Sequence, residues 1–377
     1  MRRLPKPPRR TWQTTVEQLG LVFHTPNGQT YWEEGAYYSF TDAEIEEVKN
    51  TTEELYRLLL LAGQNIVDNN LFPGFAIPDF VVPLIRASWE GEPPALNHGR
   101  FDLGYDGVNP PKLFEFNCDT PTTLLETAVI QWQWKEECFP TSDQFNSLHE
   151  RLIQKWRDIA KCFRSPLYFL HALDDVGEDI MTVTYLRDTA SQGGITTLPI
   201  LARDMGWDRR ARRFVDMQNN PIDAIFHLYP WEWLVREDFG HHIAECFGQT
   251  LWLEPIWKMI WSNKAILVIL WDMFPDHPNL LAAFREPRGN NYVRKPILGR
   301  EGANVTVVKN GETICERNGP YGAEGFVYQD LCPQLTFGDD VPVLGSWVVD
   351  GEAAGLGIRE GSNITDNGSR FVPHVIR

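Results

Sequence analysis

The stretch R-F-D-L-G-Y-D-G-V-N-P-P-K-L-F-E-F-N, residues 100–117, predicts a β-hairpin with one polar face. Polar and apolar residues alternate in its two arms, and the residues between the arms are typical of a turn. Because side chains two apart on a strand share a face, Arg100 and Asp102 are expected to point the same way, as are Glu115 and Asn117. Two carboxylates and an amide oxygen form a ligand set that suits Mg²⁺. A solvent-facing hairpin whose polar face simply alternates accounts for the same pattern. The apolar residues expected on the opposite face are Phe101, Leu103, Phe114 and Phe116.

A helix is predicted on each side of this hairpin. Thr41-Asp42-Ala43-Glu44 is typical of a capping box, and it begins a helix that continues towards Asp68. After the hairpin, Thr120 followed by Pro121 predicts a helix N-cap with proline at the first helical position. The N–H groups at the start of such a helix favour anions, so Thr120 and Thr122 are candidates for holding a substrate carboxylate. Plain helix capping by Thr120 is the alternative interpretation.

The remaining patterns predict an α/β protein whose last third is rich in strands. A small central α/β subdomain, at about residues 165–245, is predicted from the strand candidates 167–170, 196–201 and 224–229. The segment 251–274 is predicted to be a long buried helix or helix pair that stops at Pro275. The strand-like segments that follow are 292–298, 305–309, 325–330, 343–349 and 355–359.

A second candidate site surrounds Lys295, in the motif K-P-I-L-G-R-E-G-A-N, residues 295–304. Lys295 ends an extended run, and the loop after it contains two glycines whose backbone N–H groups can approach phosphate oxygens. The loop is predicted between two strands, whereas Walker A and Rossmann loops run from a strand to a helix, so neither of those patterns applies. A simple glycine-containing turn is the alternative.

The adjacent histidines His241 and His242 could suggest a metal site. They are instead expected at the surface, because adjacent helical residues do not face the same way.

Composition limits the classes of partner. Acidic residues outnumber basic ones by 51 to 35 and give a formal net charge of −16, which disfavours nucleic acid and anionic membranes. Such a surface attracts cations, including polyamines, although solubility alone also explains it. The six cysteines form no C-x-x-C pair, which argues against a zinc site and suits a reducing cytoplasm. Prolines follow the basic N-terminal residues where a signal peptide needs an apolar run, so no signal peptide is predicted.

Several motifs, taken in order, resemble the synthetase portion of the glutathionylspermidine synthase family. The matching pieces are R-x-D at 100–102, E-x-N-x-D-T-x-T at 115–122, W-S-N-K-A-I-L at 261–267, K-P-I-L-G-R-E-G-A-N at 295–304, Y-Q-D-L at 328–331 and Arg359. The resemblance extends from about residue 10 to the end of the chain. It is strongest to the stand-alone bacterial members of the family that are regarded as acid–amine ligases.

This resemblance implies an ATP-grasp fold with rearranged connectivity, and it implies roles by position. The residues implied to hold Mg²⁺, expected as two ions, are Asp102, Glu115 and Asn117. The residues implied to contact ATP are Arg100, Asp102, Lys264, Lys295, the loop 299–304 with Gly302, Gln329, Asp330, Leu331 and Arg359. Arg100 and Lys295 are the implied catalytic residues, because they would offset charge on the transferring phosphoryl group. The residues implied to contact the substrates are Thr120, Thr122, Glu178 and Asp179.

The sequence therefore predicts an ATP- and Mg²⁺-dependent ligase that joins a peptide-like carboxylate to an amine such as a polyamine, through an acyl phosphate. Hydrolysis of the product is not expected, because the amidase domain of bifunctional members is absent. Glutathione is not favoured as the substrate that provides the carboxylate, because residues 228–232 lack a threonine that the family carries before its Trp-x-Trp-Glu segment. Two other readings stay open: a nucleotide-binding protein that has lost ligation, and a metal-independent hydrolase that uses Asp102 and Glu115 as acid and base.

Overall fold

A computed structural model describes residues 1–174, 177–362, 364–366 and 368–377. The helices are α1 (Trp12–Gln18), α2 (Asp42–Asp68), α3 (Val82–Gly91), α4 (Gln131–Cys138), α5 (Leu148–Ile159), α6 (Glu178–Gln192), α7 (Trp231–Leu234), α8 (Gly240–Glu245), α9 (Lys258–Trp261) and α10 (Ile266–Met273). The strands are β1 (Arg2–Pro5), β2 (Ala36–Phe40), β3 (His98–Gly104), β4 (Lys112–Asn117), β5 (Leu167–His171), β6 (Thr197–Leu201), β7 (Gly206–Asp208), β8 (Arg213–Val215), β9 (Ala224–Leu228), β10 (Leu251–Leu253), β11 (Ala283–Phe284), β12 (Tyr292–Pro296), β13 (Thr306–Lys309), β14 (Glu312–Glu316), β15 (Phe326–Asp330), β16 (Val341–Val349), β17 (Glu352–Gly361), β18 (Arg370–Phe371) and β19 (His374–Ile376).

Two five-stranded sheets carry most of the predicted site residues. The first has the order β18-β17-β16-β3-β4, and the second has the order β11-β15-β12-β13-β14. The predicted strands of the last third are confirmed, and β14 is a strand that the sequence analysis missed. The prediction of an α/β protein is confirmed. No helix among the described residues has both the length and the apolar character needed to cross a bilayer.

The central region forms a parallel sheet with the order β10-β9-β5-β6. Its three predicted strands are confirmed. The prediction for residues 251–274 is wrong at its start, because Leu251–Leu253 pairs as a strand with Ala224–Phe226. Two short helices follow, and Asn263 between them donates to the Phe75 carbonyl (2.8 Å) and accepts from the Ala265 N–H (2.9 Å). Whether residues 165–245 form a separate subdomain stays a prediction, and the sheet continues past residue 245 into β10.

The long helix α2 begins where the sequence predicts. The Thr41 hydroxyl accepts from the Glu44 N–H (3.3 Å), and the Glu44 carboxylate accepts from the Thr41 N–H (2.9 Å). The hydroxyl of Thr52 in α2 is hydrogen-bonded to that of Ser346 in β16 at 2.6 Å, which joins the helix to this strand. The helix therefore packs against the first sheet at β16, the strand that pairs with β3.

The hairpin is confirmed, with one correction. Arg100 lies opposite Asn117 and Asp102 lies opposite Glu115, as expected. The register then shifts, so that Leu103 pairs with Leu113 and Phe114 is an extra residue in β4. Because such a bulge changes the face on which later side chains lie, Phe114 is on the polar face rather than with Phe101.

The helix after the hairpin begins later than predicted, at Leu124 rather than after Thr120. Its first turn is closed by the Thr127 N–H donating to the Thr123 carbonyl (3.2 Å). Thr123 has φ +67°, and the Thr122 carbonyl accepts from the Arg100 guanidinium at 2.5 Å. The preceding residues are thus held outside the helix by contacts to β3, and Thr120 is not an N-cap.

The packing of α2 against Trp89 and Trp261 can be tested by a substitution at Gly63, a residue of this helix. An alanine at Gly63 would place its Cβ 2.3 Å from the Trp89 ring and 3.0 Å from the Trp261 indole nitrogen. We expect Gly63→Ala to lower the free energy of unfolding by about 1–3 kcal/mol, although alanine is otherwise favoured in helices by ~0.5–1 kcal/mol. The matched control is Gly91→Ala in α3, where nothing lies within 4 Å of the added carbon. Urea unfolding measures both, and equal effects would contradict the packing described.

Candidate active site

A cavity of about 670 Å³ lies between the two five-stranded sheets. The predicted site residues that line it are Asp102, Glu115, Lys264, Lys295, Gly302, Gln329, Asp330 and Leu331. Valines from β12 and β13 and from the residue before β13 make one wall apolar: Val293, Val305 and Val307. The cavity therefore has an apolar part and a charged end, which is the usual composition of a small-molecule site.

At the charged end, the Asp102 carboxylate accepts from two guanidinium groups. Arg100 donates from Nε (2.7 Å) and Nη2 (3.2 Å), and Arg359 on β17 donates from Nη2 (2.9 Å). The Asn117 amide lies 3.3 Å from the same carboxylate. Burial and the nearby charge of Arg100 lower the pKa of Arg359. Asp102 thus gathers side chains from three strands of one sheet.

Two lysines face the second carboxylate, Glu115. Lys264 Nζ lies 3.0 Å from Glu115 and donates to the Gly299 carbonyl (2.8 Å). Lys295 donates to the Phe114 carbonyl (3.0 Å) and to the Gln329 side chain (2.8 Å). Although burial opposes ionisation, the charges of Lys264 and Lys295 lower the pKa of Glu115 to about 2. Burial lowers the pKa of Lys295 to about 8, against the opposing charge of Glu115.

The charged side chains grouped around Asp102 and Glu115 are net positive, opposite in sign to the whole chain. The four cations are Arg100, Lys264, Lys295 and Arg359, and the two carboxylates between them are Asp102 and Glu115. Within this group of six side chains two positive charges are in excess, while the chain carries a formal net charge of −16, and Glu301 and Asp330 also line the cavity. A polyanion such as a triphosphate is the ligand that this excess would stabilise.

The predicted Mg²⁺ ligands are suitable in chemistry. The lowered pKa of Glu115 keeps this carboxylate anionic, and Asp102 lies opposite it in the hairpin. The Asn117 amide nitrogen donates to Glu115 (3.4 Å) and to Asp102 (3.3 Å), and with its amide rotated to present the oxygen the three side chains would supply the hard oxygen donors that Mg²⁺ prefers. Within the described ranges, no cluster of three or more His, Cys, Asp or Glu side chains suitable for a metal occurs. A site here would therefore need oxygens from the substrate or from water.

The glycine-containing loop 299–304 connects β12 to β13, as predicted. Gly302 has φ +69°, and a Cβ there would lie 2.8 Å from the Thr365 carbonyl oxygen, so only glycine fits. Arg300 donates to the Thr120 hydroxyl (2.7 Å) and to Glu232 (2.8 Å). The loop therefore covers one side of the cavity and contacts the segment that follows the hairpin.

The predicted substrate residues lie beside the guanidinium groups rather than in the cavity lining. Thr122 lies close to Glu178, the first residue of α6, and opposes the rise in its pKa. Burial raises the pKa of Glu178, and burial with the neighbouring charges of Asp174 and Glu178 raises the pKa of Asp179 to about 7. Acidic side chains whose charge is disfavoured in this way would be stabilised by a cationic ligand.

Sequence reasoning missed several residues of this region. Arg300 lies inside a quoted motif, but its contact with Glu232 joins segments 68 residues apart and has no local signal. Glu126 is a lone acidic residue among apolar ones, and it forms a buried hydrogen bond with Tyr31. Phe114 was placed on the wrong face because a bulge has no clear pattern in one sequence.

The family model described as "Glutathionylspermidine synthase preATP-grasp" matches residues 3–377. The chain belongs to this family. Membership confirms the predicted resemblance and the enzyme class, an ATP-dependent carbon–nitrogen ligase.

Individual relatives agree with this assignment. A Haemophilus influenzae protein named "Putative acid--amine ligase" is 39% identical over 363 residues, which cover 92% of this chain and 91% of that protein. Trypanothione synthetase of Crithidia fasciculata is 29% identical, covering 80% of this chain and 50% of that protein. The bifunctional glutathionylspermidine synthetase/amidase of Escherichia coli is 27% identical, covering 85% and 56%. The chain spans about half the length of these last two. A solved structure titled "Putative gamma-glutamylcysteine synthetase", from Methylobacillus flagellatus, aligns with a TM-score of 0.45 at 13% identity, over 84% of this chain and 85% of that one.

The opposite pKa shifts of two site carboxylates predict opposite effects on stability. Glu115→Gln should lower the free energy of unfolding by about 2 kcal/mol at pH 7, because it leaves two lysines without their counter-charge. The folded pKa of Glu115 is below its usual 4.5, so the difference from wild type should disappear as pH falls from about 4.5 to about 2. Glu178→Gln should be neutral or stabilising at pH 7, since burial disfavours its charge. Equal losses in both variants, measured by urea unfolding, would contradict these assignments.

Proposed function

We propose that this protein is an ATP- and Mg²⁺-dependent acid–amine ligase that forms an amide through an acyl phosphate and releases ADP and phosphate. The observation that carries the proposal is the group of four cationic side chains around Asp102 and Glu115, beside the cavity of a strongly acidic chain. Family membership supports ATP-dependent ligation, and the proposal adds the mechanism, the metal and the substrate classes.

The cavity is the proposed ATP site. The apolar wall of β12 and β13 faces the adenine, and Gln329 to Leu331, at the end of β15, line its edge. Lys264 and Lys295 contact the phosphates, and Gly302 lets the loop pack closely against residues 364–365 at the cavity lining. Asp102, Glu115 and Asn117 would hold Mg²⁺, which would supply further positive charge to the phosphates.

Phosphoryl transfer is proposed at the Asp102 end of the cavity. A carboxylate oxygen of the peptide-like substrate attacks the γ-phosphorus, and the bond to the ADP oxygen breaks. Arg100, which is 4% exposed and held by Asp102, stabilises the charge that spreads over the equatorial oxygens, together with Arg359 and Lys295. Because these groups are already fixed by hydrogen bonds, little reorganisation is needed during the reaction.

The substrates are proposed to meet beside the guanidinium groups. Thr120 and Thr122 lie next to Arg300 and Arg100 and can hold the carboxylate substrate. Glu178 and Asp179 attract the amine, for which a polyamine is the proposed class, and the net charge of −16 favours such a cation. The amine nitrogen then attacks the acyl carbon, and phosphate leaves. We place the reaction in the cytoplasm, in keeping with six free cysteines.

Nucleotide binding is tested first, through Lys295. A non-hydrolysable ATP analogue with Mg²⁺ should raise the melting temperature of wild type but not of Lys295→Ala, because only ligands that bind the native state stabilise it. The shift should shrink as pH rises through about 8, where Lys295 loses its proton. Lys295→Arg should keep the shift and remove this pH dependence, and Lys161→Ala, at an exposed lysine, is the control. A shift that persists in Lys295→Ala would refute the assignment.

Ligation is tested by ADP release. Glutathione and short peptides are each combined with 1,3-diaminopropane, putrescine or spermidine, and ADP should form only when carboxylate and amine are both present. Asp102→Asn and Glu115→Gln should each lower turnover roughly 100-fold or more, as when one strong electrostatic group is lost. The exposed Glu46→Gln should have no effect. Near-normal turnover in both site variants would refute the metal assignment, and ADP release without an amine would refute ligation.

A further inference from the structure

A set of contacts that the mechanism above does not use meets at Arg300, in the loop 299–304. Its Nη1 donates to the Thr120 hydroxyl (2.7 Å), and its Nη2 and Nε donate to Glu232 Oε1 (2.8 and 3.2 Å). The guanidinium carbon also lies 5.5 Å from the centre of the Trp233 ring. One side chain therefore joins the loop to two segments that are distant in sequence, the stretch after β4 and the helix α7.

Glu232 is held in place by the backbone that carries it. The N–H of Trp231, the preceding residue, donates to the carboxylate of Asp119, which is 2% exposed (2.8 Å). The Trp231 indole N–H donates to the carbonyl of Glu254, the residue after β10 (3.0 Å). Because these contacts are buried, Glu232 is a fixed partner, and a bond to it restrains the segment that carries Arg300.

The loop that carries Arg300 forms part of the cavity wall. Gly299, Glu301 and Gly302 line the cavity, whereas the Arg300 side chain is directed to Thr120 and Glu232. The loop thus faces the proposed nucleotide on one side and the segment proposed to hold the carboxylate on the other. The acyl phosphate of the proposed mechanism forms where these two substrates meet.

The contact between Arg300 and Glu232 has features of a strong ion pair. Two guanidinium N–H groups converge on one carboxylate oxygen, and the ring of Trp233 lies near the cation. Fully exposed ion pairs contribute little, because water screens them, but these two side chains are only 28% and 13% exposed. The remaining exposure places the pair at the protein surface, so it can separate without disrupting the core.

We propose that Arg300 is a positioning residue and that its contacts with Glu232 and Thr120 form a latch, which holds the loop 299–304 closed and keeps water away from the acyl phosphate. This inference rests on the proposed ligation and adds how its intermediate is protected. Thr120 belongs to the segment proposed to hold the carboxylate, so the latch closes at the junction of the nucleotide and carboxylate sites.

An open loop has a defined chemical consequence. Water attacks the acyl carbon, and the bond from that carbon to the phosphate oxygen breaks, with its electron pair going to phosphate. The balance is R–CO–OPO₃²⁻ + H₂O → R–COO⁻ + H₂PO₄⁻, so the carboxylate is regenerated and ATP is consumed without amide formation. Because ligases that form such intermediates depend on the exclusion of water, the ratio of ADP to amide measures how well the loop is closed.

Limited proteolysis tests the latch without any ligand. Trypsin cuts after lysine and arginine, but Lys295 is followed by Pro296, which blocks cleavage, so Arg300 is the cleavage site within this loop. The Arg300 side chain must leave Glu232 to enter the protease. We expect Glu232→Ala to be cut between residues 300 and 301 about fivefold faster than wild type or more, since cleavage requires local opening.

Two controls accompany this digest. The exposed Arg209 and Arg210, in the turn between β7 and β8, provide an internal reference whose cleavage rate should be the same in wild type and Glu232→Ala. Glu245→Ala removes the partner of Arg212 (3.0 Å), an ion pair outside the cavity lining, and should leave cleavage after Arg300 unchanged. The fragments 1–300 and 301–377 are quantified by mass spectrometry.

The coupling of ATP use to amide formation gives a second readout. With whichever peptide and diamine wild type ligates, ADP and amide should form in nearly equal amounts, whereas Glu232→Ala should release about three ADP per amide or more. The double variant Glu232→Arg, Arg300→Glu should return to within about twofold of wild type, because the Thr120 hydroxyl can donate to a carboxylate as well as accept from a guanidinium. Glu245→Ala should keep the ratio of wild type.

Each remaining outcome also decides. If Glu232→Ala leaves cleavage after Arg300 unchanged relative to the β7–β8 turn, the pair does not hold the loop, and the proposal is overturned. If cleavage accelerates but the ratio of ADP to amide stays at the wild-type value, the loop does not protect the intermediate, and the proposal is again overturned. If wild type forms no amide with any pair, the proposed function fails and the protective role with it, whereas the cleavage rates still decide whether Glu232 holds the loop.

Discussion

The Asp102 carboxylate, shared by the guanidinium groups of Arg100 and Arg359, is the contact on which the site depends. It joins β3 to β17 across the intervening β16. Because a buried charge is stable only when it is paired and hydrogen-bonded, each of these three side chains requires the other two. Arg100 extends the same network to the Thr122 carbonyl and the Thr123 hydroxyl, and so determines where the next helix begins.

This network has a consequence for charge. A chain with a net charge of −16 would repel ATP if its charge were evenly spread. The fold instead gathers lysines from α9–α10 and β12 and arginines from β3 and β17 around Asp102 and Glu115, two carboxylates that line the cavity. On the other side of the guanidinium groups, Glu178, Asp179 and Glu126 form an acidic region. In the proposed mechanism, the anionic nucleotide would bind at the cationic group and the cationic amine at the acidic one.

Much of this arrangement was predictable, because its signals are local. The capping box at Thr41, the alternation of the hairpin and the strand–loop–strand pattern around Lys295 depend on residues a few positions apart. The roles of Lys264, Gln329 and Arg359 came from resemblance to the family, since nothing near them in sequence indicates a shared cavity. Most of the predicted residues do line it, and the threonines and the α6 acids lie next to its charged end.

The amino-acid sequence by itself determined the alternation of polar and apolar residues in the hairpin strands and the start of α2. It also determined which cationic and carboxylate side chains are present for the site. The tertiary structure decided which face Phe114 occupies, where the helix after the hairpin begins, and which buried carboxyl remains unpaired. The physical reason is that these features are settled by contacts between distant segments, such as Arg100 with Thr123 and Tyr31 with Glu126. A local pattern limits what each segment can form, and packing against the rest of the chain selects among those forms.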